Sequence, residues 1–174
     1  MEMLPERKNI RLKAYDYSQA GCYFITICVK DRREMLGKID VGAIINRPFS
    51  PVRVTLSEYG IVTDNVIHEI PVHCPHVSVD QYTIMPNHIH LLLTLWHDDD
   101  PGRLIIAPTN VSTVVQQFKR RVSKLIGFSI WQKSFHDHII RSEADYQRTW
   151  RYIDENPARW IEDDYYENSY IVNT

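Results

Sequence analysis

His88 and His90 flank Ile89 in the string Met85-Pro86-Asn87-His88-Ile89-His90, directly ahead of the apolar run Leu91-Leu92-Leu93-Thr94-Leu95. Successive side chains on a strand face opposite ways, so residues two apart share a face. Both imidazoles then project side by side while Ile89 turns into the opposite core. Two imidazoles held together are half of a divalent metal site. A second pair, Tyr152 and Asn156, stands four residues apart in a segment with helical character, which puts a phenol and a carboxamide on one helix face. That face lies roughly 110° from the centre of the apolar stripe formed by Tyr146, Trp150 and Ile153, so the pair points away from the main packing direction. His136-Asp137-His138 repeats the His-x-His spacing; its strand could lie beside the first and bring His138 to the same site, against the plainer reading of a sheet-surface histidine. His73-Cys74-Pro75-His76 has ligand types, but no second pair stands at zinc-finger spacing.

These groups need elements to hold them. Cys22–Val29 is β-branched and aromatic and predicts a buried strand. Met35–Ile39 predicts a short strand broken by Gly37, and Asn46–Pro51, with two prolines, a loop. Thr55-Leu56-Ser57-Glu58 reads as a capping box with Thr55 as N-cap, opening a helix that Pro71 ends. Val77–Ile84 and His88–Trp96 predict a hairpin around Pro86-Asn87. After the polar loop Asp98–Pro108, Thr109 or Asn110 caps a helix that stops at Gly127, with Val111, Val114, Val115, Phe118, Val122 and Leu125 as its apolar stripe. Ile130–Arg141 reads as a strand, and Ser142 caps a last helix ending near Asn156, because Pro157 disfavours helical geometry in the residue before it. The order predicts an α+β, ferredoxin-like βαββαβ fold: an antiparallel, RRM-like sheet with helices on one face, plus a C-terminal helix that carries the tyrosine.

The chain has 174 residues, 44% hydrophobic and 24% charged, which suits one globular domain over 1–174 with an acidic C-terminal tail over 161–174. No segment reads as a membrane span or a signal peptide, and three cysteines without a C-x-x-C pair fit reduced thiols, so the expected location is cytoplasmic. The net charge of −2 argues against a general nucleic-acid coat. The charge is uneven, however: residues 110–159 hold nine Lys/Arg against five Asp/Glu. Lys119, Arg120, Arg121 and Lys124, extended by Arg141, Arg148 and Arg151, form a candidate phosphate-contacting path whose bland counterpart is a solvated helix face. The acidic tail could fold over that basic site.

The strings Arg11-Leu12-Lys13-x-Tyr15-Asp16-Tyr17-Ser18, Met85–His90, Trp131–Arg141 and Arg151-Tyr152-Ile153-Asp154-Glu155-Asn156-Pro157 carry a family likeness over roughly residues 10–160. The chain resembles the HUH single-strand DNA endonucleases, named for a His, hydrophobic residue, His motif, and within them the REP-associated tyrosine transposases, relatives of small insertion-sequence transposases. The resemblance implies that His88 and His90 are metal ligands, that Tyr152 is the nucleophile, and that Asn156 occupies the place of a third ligand; His138 stays open as an additional active-site group. It implies Mg²⁺ or Mn²⁺; two imidazoles and an amide oxygen suit Mn²⁺ better, since Mg²⁺ prefers oxygen ligands. It further implies a metal-dependent endonuclease and strand transferase that forms a 5′-phosphotyrosine on single-stranded DNA bearing imperfect hairpins, as in DNA transposition and recombination. Monomer and homodimer both remain open. The alternatives are a non-catalytic nucleic-acid-binding module on the same fold, against which the missing aromatic RNP pattern argues, and a small metal-binding structural protein.

Overall fold

A computed structural model describes residues 16–40, 52, 54–96 and 110–166. Its elements are β1 (Gly21–Cys28), β2 (Gly37–Lys38), β3 (Thr55–Leu56), α1 (Glu58–His73), β4 (Val77–Ile84), β5 (His88–Leu95), α2 (Val111–Ile126), β6 (His136–Ile140) and α3 (Glu143–Glu155), followed by a 3₁₀ segment, Asn156–Glu162. The main sheet runs β4-β5-β1-β6, with every pairing antiparallel. Setting aside the small β2–β3 ribbon, this is the βαββαβ order of a ferredoxin-like fold, as the sequence pattern predicts. Among the described residues no helix is long and apolar enough to cross a membrane.

The two faces of the sheet have different work, and strand alternation divides them. Tyr23, Ile25 and Ile27 of β1 are fully buried in one cluster with Ile89, Leu91 and Leu93 of β5, Val66, Ile67 and Ile70 of α1, and Val114, Val115, Phe118 and Val122 of α2. The intervening residues Phe24, Thr26 and Cys28 therefore face the other way, beside His88 and His90, in the register Thr26↔His90 and Cys28↔His88. α3 covers this second face through buried Thr149 and Ile153. The sheet face opposite α1 and α2 is thus partly roofed by the last helix. Beneath the 3₁₀ segment a small separate cluster of Ile39, Met85 and Trp160 fixes the path of the chain after Pro157.

Several caps, boundaries and burial positions depart from the sequence reading, among them the strand expected over Met35–Ile39, which is Gly37–Lys38 with Gly37 inside it. The N-cap of α1 is Ser57, whose hydroxyl accepts from the Gly60 amide, while Thr55 is drawn into β3 by pairing with Lys38. Pro71 lies inside α1: at the last turn it forfeits only one amide donor, and the helix closes at Cys74, whose N–H reaches the Ile70 carbonyl. The strand expected over 130–141 is confined to His136–Ile140, because Trp131 pairs with Val29 only as an isolated bridge. In α2, Asn110 caps and left-handed Gly127 terminates as expected, but Leu125 is exposed, lying outside the buried stripe. The expected loops over 46–51 and 98–108, apart from residue 52 nearby, and the string Arg11–Tyr15 lie outside the described residues.

Gly60 sets how closely α1 can approach the loop before it. A Cβ at this position would run into the Leu36 carbonyl oxygen, which itself accepts from the Ser57 amide. Gly60→Ala should therefore cost about 1–3 kcal/mol, since neither backbone can yield without losing the cap. Urea unfolding checks this, and an unchanged midpoint would mean that the helix start can shift freely.

Candidate active site

β5 presents the two histidines as the alternation requires, fully buried, with their Nε2 atoms 3.0 Å apart. Their other nitrogens are held from outside. Asn87 donates its amide protons to the Arg32 and Tyr165 carbonyls, which turns its Oδ1 toward His88 Nδ1 at 2.8 Å. His88 therefore carries its proton on Nδ1 and offers a lone pair at Nε2. On β1, Thr26 Oγ1 lies 2.9 Å from His90 Nδ1. Without a cation, the short Nε2–Nε2 contact requires His90 to donate from Nε2 and to accept from the Thr26 hydroxyl. With one, His90 must shift its proton to Nδ1, and Thr26 can turn its hydroxyl to accept it.

The 3₁₀ segment completes the surroundings. Asp163 places a carboxylate oxygen 3.9 Å from His88 Nε2, and ligand atoms of His88, His90 and Asp163 all lie within 4.8 Å of one another. Asn156, buried at the end of α3, donates to that same Asp163 oxygen at 3.0 Å. Its own Oδ1 is buried and meets no hydrogen-bond partner. Two imidazole nitrogens and a carboxylate form a donor set suited to a divalent cation. The 3.0 Å spacing of the nitrogens also fits: two bonds of ~2.1 Å at a right angle separate their donors by about that much. His88, His90 and Asp163 thus form a group able to hold a metal ion.

Burial depresses the His88 pKa to about 3, with the nearby Arg32 charge adding to the effect. His90 is likewise held well below the ordinary histidine range by burial, then by His88, with Asp163 opposing. Both imidazoles are therefore neutral at neutral pH. Tyr152 lies over them, its ring 5.3 Å from that of His90 and edge-on to Phe24 at 5.8 Å, yet 43% of its surface is exposed. Burial raises its pKa, Asp163 and Asp164 raise it further, and a hydrogen bond from Asn156 opposes them.

Not all the predicted site residues converge here. Tyr152, Asn156, His88 and His90 do. His138 lies on the same sheet face, opposite Phe24, but its Nε2 is engaged by Asp145 at 2.9 Å. Arg141, Arg148 and Arg151 surround α3 on this face: the Arg141 amide and the Arg148 guanidinium donate to Asp145, and Arg151 Nε to the Gln147 carbonyl. The α2 cations stand across the sheet. Lys119 Nζ donates to the Gln132 and Ser134 carbonyls, and Arg121 pairs with Glu69 at 3.0 Å. Arg120, Arg121 and Lys124 rim a groove of about 270 Å³ between α1 and α2, floored by Val66, Ile70, Val114 and Phe118.

Sequence reasoning missed Asp163, Thr26 and Tyr165. Thr26 could have been found only through the β1–β5 register. Asp163 needed the 3₁₀ segment after Pro157, which folds the start of the acidic tail onto the histidines and not onto the α2 cations. Tyr165 then stacks on His88 at 4.6 Å, and its backbone amide donates to Asp163. Arg32, in the left-handed region at φ 50, is directed at this segment: its guanidinium donates to the Asp164 carbonyl and lies 5.3 Å from the Tyr165 ring centroid.

No protein-family model matches the chain. An uncharacterized protein of Haemophilus influenzae is 30% identical over 178 residues, covering 92% of this chain and 93% of its own. A second protein of that organism, assigned to the REP-associated tyrosine transposases, is 29% identical over 150 residues, 83% of this chain and 74% of its own. A solved REP-associated tyrosine transposase, bound to a REP hairpin, superposes with a TM-score of 0.59 at 20% identity, over 86% of this chain and 74% of that one, a likeness of fold.

Two outcomes follow from the histidine geometry. Thr26→Val removes the acceptor for His90 Nδ1–H and should weaken Mn²⁺ binding ~10-fold or more by calorimetry; unchanged affinity would free His90 of any need for Thr26. The folded pKa values of both histidines lie below the unfolded value, so below about pH 6.5 the unfolded chain binds more protons and stability falls with pH. Metal-free protein should lose about 2 kcal/mol for each histidine between pH 7 and 5; a flat urea midpoint over that interval would contradict their buried, neutral state.

Proposed function

From the likeness of the chain to REP-associated tyrosine transposases, we propose that it cleaves and rejoins single-stranded DNA beside an imperfect hairpin, through a covalent bond to Tyr152. The observation that carries this reading is the partly exposed Tyr152 phenol over His90, in a buried group of His88, His90 and Asp163. We read residues 1–174 as a single catalytic domain in the cytoplasm, with His88, His90 and Asp163 holding Mg²⁺ or Mn²⁺ and Asn156 contributing its amide oxygen. When bound there, the ion would neutralise charge on a phosphate oxygen.

Tyr152 supplies the attacking oxygen. That oxygen forms a bond to phosphorus, the bond from phosphorus to the 3′-oxygen breaks, and the departing 3′-oxygen takes up a proton. The products are a 5′-phosphotyrosine and a free 3′-hydroxyl. The ester is conserved in the adduct, so a second 3′-hydroxyl can reverse the step onto a new strand without a nucleotide cofactor. The raised pKa of Tyr152 means that its proton must leave during attack. Asn156, whose hydrogen bond favours the ionised phenol, eases that loss. Tyr165 is a poorer candidate nucleophile despite its nearness: its hydroxyl is engaged with Cys28, and burial first, with Cys28 next, pushes its pKa far up.

Arg141, Arg148 and Arg151 border the same face and can guide the cleaved strand past Tyr152. Lys119, Arg120, Arg121 and Lys124 lie across the sheet, where they suit a separate contact with the hairpin stem. Replacing Arg120 and Lys124 by Ala should then reduce the salt dependence of hairpin binding by about 1 in slope per lost phosphate contact, and an unchanged slope would return that face to solvent.

The test of the reaction is incubation with labelled hairpin DNA and Mn²⁺. A covalent protein–DNA band should survive denaturation and vanish in Tyr152→Phe, while His88→Ala suppresses the adduct ~100-fold or more with hairpin binding nearly intact. An adduct of wild-type yield in Tyr152→Phe would move the nucleophile elsewhere. Tight hairpin binding with no adduct under any metal would favour the non-catalytic binding module.

A further inference from the structure

α3 delivers Tyr152, so what fixes α3 against the sheet fixes the phenol. The helix buries only Thr149 and Ile153, a thin apolar grip for an element that must place one oxygen. Its first turn is tied more specifically, to both edge strands of the main sheet. Toward β6, Asp145 Oδ2 takes His138 Nε2 at 2.9 Å and the Arg141 amide at 3.3 Å. Toward β4, the Tyr146 hydroxyl donates to Asp80 Oδ2 at 3.2 Å.

Asp80 is prepared for this contact. It sits where the β4–β5 register slips between Val79 and Gln81, and such a bulge re-aims a side chain. Its Oδ1 accepts from Ser78 Oγ at 2.6 Å, and its Oδ2 also accepts from Thr94 Oγ1 at 2.5 Å. The carboxylate is therefore held in place before Tyr146 reaches it. β4 and β6 are the outermost strands of the order β4-β5-β1-β6. The two ties thus straddle the strands that carry His88, His90 and Thr26.

We propose that Asp145–His138 and Tyr146–Asp80 form a two-point clamp that positions Tyr152 over His90, a reading that rests on Tyr152 as the nucleophile. The four residues are positioning residues and touch neither substrate nor reacting atoms. The exposed His138–Asp145 pair adds little to stability. Its effect lies in geometry: Tyr152 follows Tyr146 by under two helical turns, so a small rotation at the first turn displaces the phenol. Displacements near 1 Å cost ~100-fold in rate at a reacting centre.

The experiment measures single-turnover adduct formation on labelled hairpin DNA with Mn²⁺, hairpin affinity, and amide hydrogen exchange, in the wild type, Tyr146→Phe, His138→Ala, the double variant and His138→Gln. Each single change should slow adduct formation ~10-fold and the double change ~100-fold, with the hairpin dissociation constant within about twofold. His138→Gln, whose amide can still donate to Asp145, should recover most of the rate lost in His138→Ala. Exchange should quicken in α3 of the double variant and stay unchanged in β5. A double variant that forms adduct at the wild-type rate, or loses rate only as it loses hairpin affinity, would overturn the clamp. A wild type that forms no adduct would overturn the parent reading alone; exchange in α3 would then decide the clamp, and unchanged protection there would refute it.

Discussion

Two neutral imidazoles meeting nitrogen to nitrogen in a dry interior are the constraint around which this molecule is arranged. Without a cation, that contact holds only if one ring donates and the other accepts, and Asn87 and Thr26 supply the outer partners that this requires. Burial removes the easier solution of protonating a ring, as the depressed pKa values show. A buried site of this kind needs walls on every side. The apolar core of α1 and α2 lies behind β5, α3 roofs the front, and the end is sealed by Trp160 of the 3₁₀ segment and by Asp163 and Tyr165 just after it.

The division of the sheet into two faces follows from that arrangement. One register error in β5 would send the histidines into the hydrocarbon core and bring Ile89 out. Long antiparallel pairing on both sides of β5 prevents it. The irregular features then fall where the second face must be reached: the bulge that turns Asp80 toward Tyr146, and the left-handed Arg32 that meets the tail. Asp163 carries two consequences at once. It brings negative charge to the histidines, and it raises the pKa of Tyr152, so the group that suits a cation also keeps the phenol protonated.

The histidine pair, the order of elements and the caps Asn110 and Ser142 were readable from the sequence because each depends on a short, periodic pattern. Tyr152 and Asn156 emerge from helical spacing alone as a pair pointing off the apolar stripe. The stripe itself is less direct: Ile153 is buried, while Tyr146 is only partly buried and turns its hydroxyl to Asp80. Thr55 misled because its box spacing is correct, and strand pairing with Lys38 outweighs it. Asp163 could not be found by spacing. Its place depends on Trp160 packing against Met85 and Ile39, a tertiary contact between segments far apart in the chain. His138, left open between an additional active-site group and a sheet-surface histidine, stands on the histidine face with its Nε2 engaged by Asp145.

The likeness to REP-associated tyrosine transposases and the geometry of the site both direct the proposed reaction to a single atom, the Tyr152 phenolic oxygen. The chain offers a direct way to locate the reaction there. Trypsin cuts after Arg151 and Arg159, so Tyr152 falls in a peptide, Tyr152–Arg159, that contains no other tyrosine, whereas Tyr165, Tyr166 and Tyr170 share the next. Protein incubated with hairpin DNA and Mn²⁺ can be digested with nuclease and trypsin and the peptides weighed by mass spectrometry. The account predicts a nucleotide remnant on Tyr152–Arg159 and none on its neighbour. A remnant on the peptide that begins at Trp160, or on no peptide while the DNA is cut, would contradict it.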